Sequence, residues 1–121
     1  SLEESTQSNL GSCINVAINY GGREEMIDAA KKVVEEGLSI EEINEESMKS
    51  NSYLPNTPEP ELLIRTAGYS RVSNFLLWHI AYSEIDINKK LWPDFTEEDL
   101  EKSLNIYKSI DRKFGGSSKN G

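Results

Sequence analysis

Three consecutive apolar residues, Leu62-Leu63-Ile64, restrict the fold of this chain more than any other stretch of it. A run that is apolar without alternation suits a strand covered on both faces, and such strands occur in parallel sheets with helices packed on each side. Pro55, Pro58 and Pro60 keep the approach to it extended. The run opens directly into Arg65-Thr66-Ala67-Gly68, so a polar, glycine-containing loop leaves the carboxyl end of the strand. In open α/β sheets that end is where ligands bind.

The remaining segments extend this picture. Ile14-Asn15-Val16-Ala17-Ile18 alternates over strand length and stops at Tyr20-Gly21-Gly22, with Cys13 as a small apolar residue at its edge. From Arg23 the period becomes helical, with Met26, Ala30, Val33 and Val34 on one face and Glu25, Asp28, Lys32 and Glu36 on the other. Gly37 stops that helix. Ser39 to Glu42 reads as a capping box, and short helices follow to Asn51. Asn74 to Glu84 is apolar almost all round, as expected of a buried helix. Within it Trp78 and Leu76-Leu77 read as core, and His79 reads as a partly buried residue with no ligand-spaced partner. Glu84 to Ile87 is a further short strand and Trp92 to Phe95 a rigid turn. A second capping box, Thr96 to Asp99, opens a last helix with Leu100, Leu104, Tyr107, Ile110 and Phe114 on one face, stopping at Gly115. Residues 117–121 read as a flexible tail. Strands alternating with helices imply an α/β fold with a largely parallel sheet flanked by helices. Two or three strands are too few for such a sheet, so the chain is expected to be part of one.

Charge then separates the function classes. The chain carries 21 acidic and 13 basic residues, a formal net charge of −8, which argues against nucleic acid as a partner. One cysteine allows no internal disulfide and suits a reducing, cytoplasmic setting. No apolar run approaches the length of a membrane span. Arg23, Arg65, Arg71 and Arg112 all lie within a few residues of glycine. Guanidinium groups grip phosphate bidentately, and glycine lets backbone N–H groups come close to a ligand. Arg65, Gly68, Arg71, Ser73 and a helix opening at Asn74 are thus suited to a diphosphate. The same residues can serve the fold instead, with Ser73 or Asn74 capping the helix and the arginines paired to carboxylates. On chemistry alone both readings stand.

The order of the motifs favours the first. Asn15 to Arg23, the string from Arg65 to Trp78 (Arg-Thr-Ala-Gly-Tyr-Ser-Arg-Val-Ser-Asn-Phe-Leu-Leu-Trp), Glu84, and Leu91-Trp92-Pro93-Asp94-Phe95 resemble successive motifs of the cis-prenyltransferases of the undecaprenyl diphosphate synthase type. The likeness runs from about Asn9 to Gly116. It implies that residues 1–116 are the C-terminal half of a single cis-prenyltransferase domain. In such enzymes isopentenyl diphosphate is condensed onto an allylic diphosphate, commonly farnesyl diphosphate. The product is a long polyprenyl diphosphate such as undecaprenyl diphosphate, the lipid carrier for cell-wall glycans. The resemblance implies that Arg65, Arg71, Val72 and Ser73 bind isopentenyl diphosphate and that Glu84 helps hold Mg²⁺. It further implies that Arg112 and Gly115 reach a partner's site in a homodimer, with Phe75, Trp78 and Tyr82 in or near the interface. The enzyme would be cytoplasmic or peripheral at the membrane that receives its product.

The chain also departs from the family. Nothing in it resembles the Asp-Gly-Asn-x-Arg-Trp loop whose aspartate binds Mg²⁺ at the allylic diphosphate, so this half alone is expected to be inactive. Tyr69 stands where the family has glutamate, and Glu61 where it has aspartate. Lys113-Phe114-Gly115 occupies the register of an Arg-x-Gly element. The other reading that the resemblance allows is a non-catalytic partner subunit. Such subunits tend to lose the substrate arginines, which are present here.

Overall fold

A computed structural model describes residues 1–110. Its elements are α1 (Leu2–Thr6), α2 (Gly22–Glu35), α3 (Glu45–Ser50), β1 (Leu62–Arg65), β2 (Glu84–Ile87) and α4 (Glu97–Ser109), with 3-10 turns at Ile40–Glu42 and Trp92–Asp94. β1 and β2 form a parallel pair in which Leu62 lies opposite Glu84 and Arg65 opposite Ile87. The expected α/β class with a parallel sheet holds, at two strands among the described residues.

Helix ends follow the expected chemistry. Ser39 N–H donates to the Glu42 carboxylate at 2.7 Å, and Thr96 N–H donates to Asp99 at 2.9 Å, so both capping boxes form. Asn44 and Ser47 cap α3 reciprocally. Gly37, at φ 71°, ends α2 in the left-handed conformation that glycine adopts without penalty. The start of α2 is different, because Gly21 offers no side chain to cap it. Its orphan donors are taken up from far along the chain: Gly22 N–H donates to Asn74 O at 2.7 Å and Arg23 N–H to Asn74 Oδ1 at 2.9 Å. A Cβ on Gly22 would lie only 3.0 Å from Leu77 and 3.1 Å from Asn74 O, so any larger residue would push this close approach apart by a few tenths of an ångström.

Four expectations are corrected. Residues 14–18 form no strand: Ile14, Val16 and Ile18 are exposed and pair with nothing among the described residues, and Cys13 is exposed beside them. Alternation marks a sequence able to form a strand, but the ladder needs a neighbour. Residues 74–82 run as turns and bends instead of a helix, and Ser73, Asn74 and Leu76 all have positive φ, which a right-handed helix excludes. An Ile80 N–H to Leu76 O bond of 3.0 Å gives one helical turn there.

The buried face of α2 is Glu25, Ala29 and Val33, while Val34 and Ala30 are exposed. Burial of a carboxylate moves the inward face away from the apolar stripe. On α4 the buried residues are Asp99 and Ser103, with Leu100, Leu104 and Ile110 partly exposed. Ser103 Oγ donates to Asp86 on β2, and Asp99 accepts from Lys90 Nζ at 2.7 Å, so polar contacts set how this helix docks. The expected continuation to Phe114 and Gly115 lies outside the described residues.

Candidate functional site

The loop that leaves β1 is anchored on both sides. Asn88 N–H donates to Arg65 O at 2.8 Å, Gly68 N–H to Asn88 O at 2.9 Å, and Ala67 N–H to Lys90 O at 2.7 Å. Ala67 and Gly68 are both left-handed, at φ 67° and 72°, so the chain reverses within two residues. Lys90 is itself tied to Asp99, whose carboxyl sits well below the usual range because Lys90 and the Thr96 N–H and hydroxyl all donate to it. The capped start of α4 therefore fixes the floor beneath Arg65.

Above that floor the two arginines converge. The guanidinium carbon of Arg71 lies 4.4 Å from the centroid of the Tyr69 ring, and that of Arg65 lies 5.9 Å from it. Among the described residues neither arginine has a carboxylate at ion-pair distance. Arg65 Nε is buried with no hydrogen-bond partner. In a chain with eight more acidic than basic residues, two cations gathered on a neutral ring are an arrangement that can take up an anion from outside. The alternative in which these arginines pair with carboxylates is not what the structure shows.

Val72 and Ser73 follow in a turn closed by Phe75 N–H to Val72 O at 3.1 Å, and Ser73 is exposed. The expected helix N-terminus at Asn74 is absent, so no free helical N–H groups face a ligand there. Asn74 instead ties the turn to α2: it takes up the Gly22 and Arg23 donors, and its Nδ2 donates to Glu24 Oε2 at 3.1 Å. An open cleft of about 290 Å³, lined by Arg23, Glu24, Asn74 and Leu77, lies at this junction.

Glu84 stands at the start of β2, opposite Leu62, whereas Arg65 is opposite Ile87 at the other end. Three residues of strand put roughly 10 Å between the two levels. No group of three His, Cys, Asp or Glu residues able to hold a metal ion occurs among the described residues. Arg112 and Gly115 lie outside the described residues.

Sequence reasoning missed the centre that supports the turn. Glu25, only 1% exposed, accepts from Tyr20 Oη, from Tyr53 N–H at 3.1 Å, and shares a 3.0 Å hydrogen bond with His79 Nε2. Burial pushes the Glu25 carboxyl up, but the bonds from Tyr20, His79 and Tyr53 outweigh it and leave the group below its ordinary value. The Tyr20 hydroxyl is pushed well above its usual range by burial and by donation to Glu25. The Tyr20 ring meets Tyr53 and Phe75 edge-on at 6.1 and 5.8 Å. Phe75 and His79 are thus held from below, on either side of the turn that follows Arg71 and Ser73. The sequence signal was the aromatic Tyr20 five residues before Glu25, but the partners from Tyr53 and His79 are 28 and 54 residues from the glutamate.

Comparison with known proteins bears on what this geometry is for. The model of the prenyltransferase family described as undecaprenyl diphosphate synthase matches residues 1–115. An isoprenyl transferase of Fusobacterium nucleatum is 47% identical over 116 residues, which cover 95% of this chain and 49% of that protein. An isoprenyl transferase of Thermotoga maritima is 46% identical over 118 residues, covering 95% of this chain and 50% of the relative. The chain spans about half the length of the curated relatives it matches. Among solved structures, the lavandulyl diphosphate synthase of Lavandula x intermedia, in complex with dimethylallyl diphosphate, is similar with a TM-score of 0.89 and 40% identity. That match covers 94% of this chain and 51% of the other. A probable undecaprenyl diphosphate synthase from Campylobacter jejuni is similar with a TM-score of 0.83 and 36% identity, over 95% of this chain and 53% of the other.

Proposed function

Since the chain belongs to the undecaprenyl diphosphate synthase family of prenyltransferases, we propose that it carries the isopentenyl diphosphate seat of a cis-prenyltransferase. Arg65 and Arg71 grip the diphosphate, with Ser73 and the backbone of Val72 beside them. The observation that carries this is the pair of guanidinium groups gathered on the Tyr69 ring with no carboxylate at ion-pair distance among the described residues. Their role is to hold and orient: a diphosphate fixed at that end aims the alkene of isopentenyl diphosphate toward the allylic carbon, and fixed orientation is worth several orders of magnitude in rate. The other substrate is an allylic diphosphate such as farnesyl diphosphate. Support comes from the 40%-identical synthase solved with dimethylallyl diphosphate. The product is a polyprenyl diphosphate of the undecaprenyl kind, passed from the cytoplasm to the membrane as a cell-wall glycan carrier. Magnesium would be held chiefly by the diphosphates themselves, as this ion commonly is, and diphosphate binding at Arg65 and Arg71 does not route through it.

The test is equilibrium binding of isopentenyl diphosphate. Arg65→Ala and Arg71→Ala should each weaken it by about 10- to 100-fold, the worth of a charge-assisted hydrogen bond. Lysine at either position should rescue in part, since it brings the charge without the fork. Unchanged binding in both alanine variants would overturn the reading. The 121-residue chain alone should bind this substrate yet elongate no farnesyl diphosphate, and elongation would show that no further segment is required.

Assembly as a homodimer belongs to the same proposal. Phe75 and Tyr82 are exposed and Trp78 is half-buried, so these three can contribute to an apolar interface. Sedimentation of the full protein should give a dimer burying at least about 1,200 Å², and Trp78→Glu should release monomers. A wild-type monomer at micromolar concentration would remove the dimer.

A further inference from the structure

Tyr69 is one of the positions at which this chain departs from the family pattern, since a glutamate is expected there. The structure places both arginines of the proposed seat against its ring, at 4.4 Å for Arg71 and 5.9 Å for Arg65 from the centroid. We propose that Tyr69 is a positioning residue for this site, a neutral spacer that holds both guanidinium groups in place for a diphosphate without neutralising either. The inference rests on the reading of Arg65 and Arg71 as a diphosphate seat.

The argument is electrostatic. Two guanidinium groups brought close together repel, so something must draw them in. A carboxylate between them would do so, but it would cancel charge that the ligand needs, and the ligand would have to displace it. The face of a phenol ring attracts cations through its quadrupole and carries no net charge. Both arginines then keep their full charge, and the N–H donors at their edges are left for oxygen. The ring itself is fixed by what precedes it: Ala67 and Gly68 are bonded to Lys90 and Asn88, so Tyr69 emerges from an anchored turn. It is also 49% exposed, so its removal changes the site more than the fold. With the carboxylate absent, the grip on diphosphate needs no cation to bridge like charges.

The experiment is calorimetric titration of inorganic diphosphate into the full protein in the presence of a chelator, with circular dichroism to show that each variant is folded. Tyr69→Phe should bind as the wild type does, within about 2-fold, because it keeps the ring. Tyr69→Leu should bind roughly 3- to 10-fold more weakly, the span of a cation–π contact. Tyr69→Glu should be weaker than Tyr69→Leu, since the ligand must break a new ion pair. Leucine equal to wild type, phenylalanine as weak as leucine, or glutamate as tight as tyrosine would each overturn the proposal. Arg71→Ala in the same series separates the two readings. If it binds diphosphate normally, the seat itself is misplaced. If it binds poorly while Tyr69→Leu binds well, the seat stands and only the role of Tyr69 falls.

Discussion

Replacing Glu25 with leucine is expected to remove roughly 3–5 kcal/mol of folding stability, the effect of deleting one partner from a buried, hydrogen-bonded charged group. The side chain is 1% exposed and is the largest fully buried one among the described residues. Leucine fills much of the volume but leaves the Tyr20 hydroxyl, the Tyr53 N–H and the His79 ring nitrogen without their acceptor. Domains of this size hold about 5–15 kcal/mol in all, so a loss of that order is a large share. Thermal unfolding of the full protein should show the midpoint falling by on the order of 10 °C. Glu25→Gln keeps an acceptor oxygen and should lose less. A midpoint within about 2 °C of wild type for Glu25→Leu would mean that the network is incidental to folding.

The same carboxylate sets a pH dependence. Its folded pKa lies below the ordinary value of 4.5, as does that of Asp99 below 3.8. A depressed carboxyl stabilises the fold at pH values above its unfolded pKa, and that contribution is lost as pH falls through the folded value. Stability should therefore be flat from neutral pH to about 5 and decline below it. The Glu25→Leu variant should show a shallower decline, because one of the depressed carboxyls no longer titrates.

Local chemistry was legible in the sequence, and contacts across long separations were not. The capping boxes at Ser39 and Thr96, the stop at Gly37 and the strands at Leu62 and Glu84 depend on residues within a few positions, and all appear where the pattern puts them. The loop from Arg65 to Ser73 stood out because its string of residues resembles a family motif, whereas its chemistry alone left a structural role for the arginines equally open. Glu25 was placed on the solvent face, since helical period sorts residues by polarity and cannot foresee a carboxylate buried by Tyr20, Tyr53 and His79. Asn74 likewise reads as a local helix cap. Its actual work is to cap α2, 51 residues away, from a turn in which Ser73, Asn74 and Leu76 all have positive φ. The alternation at Ile14 to Ile18 gave no sign of whether a neighbouring strand would be at hand.

Removing both arginines at once is expected to weaken isopentenyl diphosphate binding by about 10²- to 10³-fold, less than two independent losses would multiply to. In the proposed seat each guanidinium would contribute a charge-assisted bond worth roughly 1.5–3 kcal/mol. In that proposal the two act on one ligand, however, and both lean on the same Tyr69 ring at 4.4 and 5.9 Å. Once Arg71 is gone, the diphosphate is held from one side and can swing, so the bonds made by Arg65 are already loosened before it too is removed. A double-mutant cycle of Arg65→Ala and Arg71→Ala measures this directly, with coupling of about 0.5 kcal/mol or more expected in the direction of the smaller combined loss. Raising the salt concentration should narrow the differences, since both groups are partly open to solvent and are screened. Losses that multiply without coupling would place the arginines on separate ligands, with Arg65 and Arg71 serving different phosphates or different molecules. A double variant no weaker than wild type would leave the convergence of the two cations on Tyr69 without a ligand to explain it.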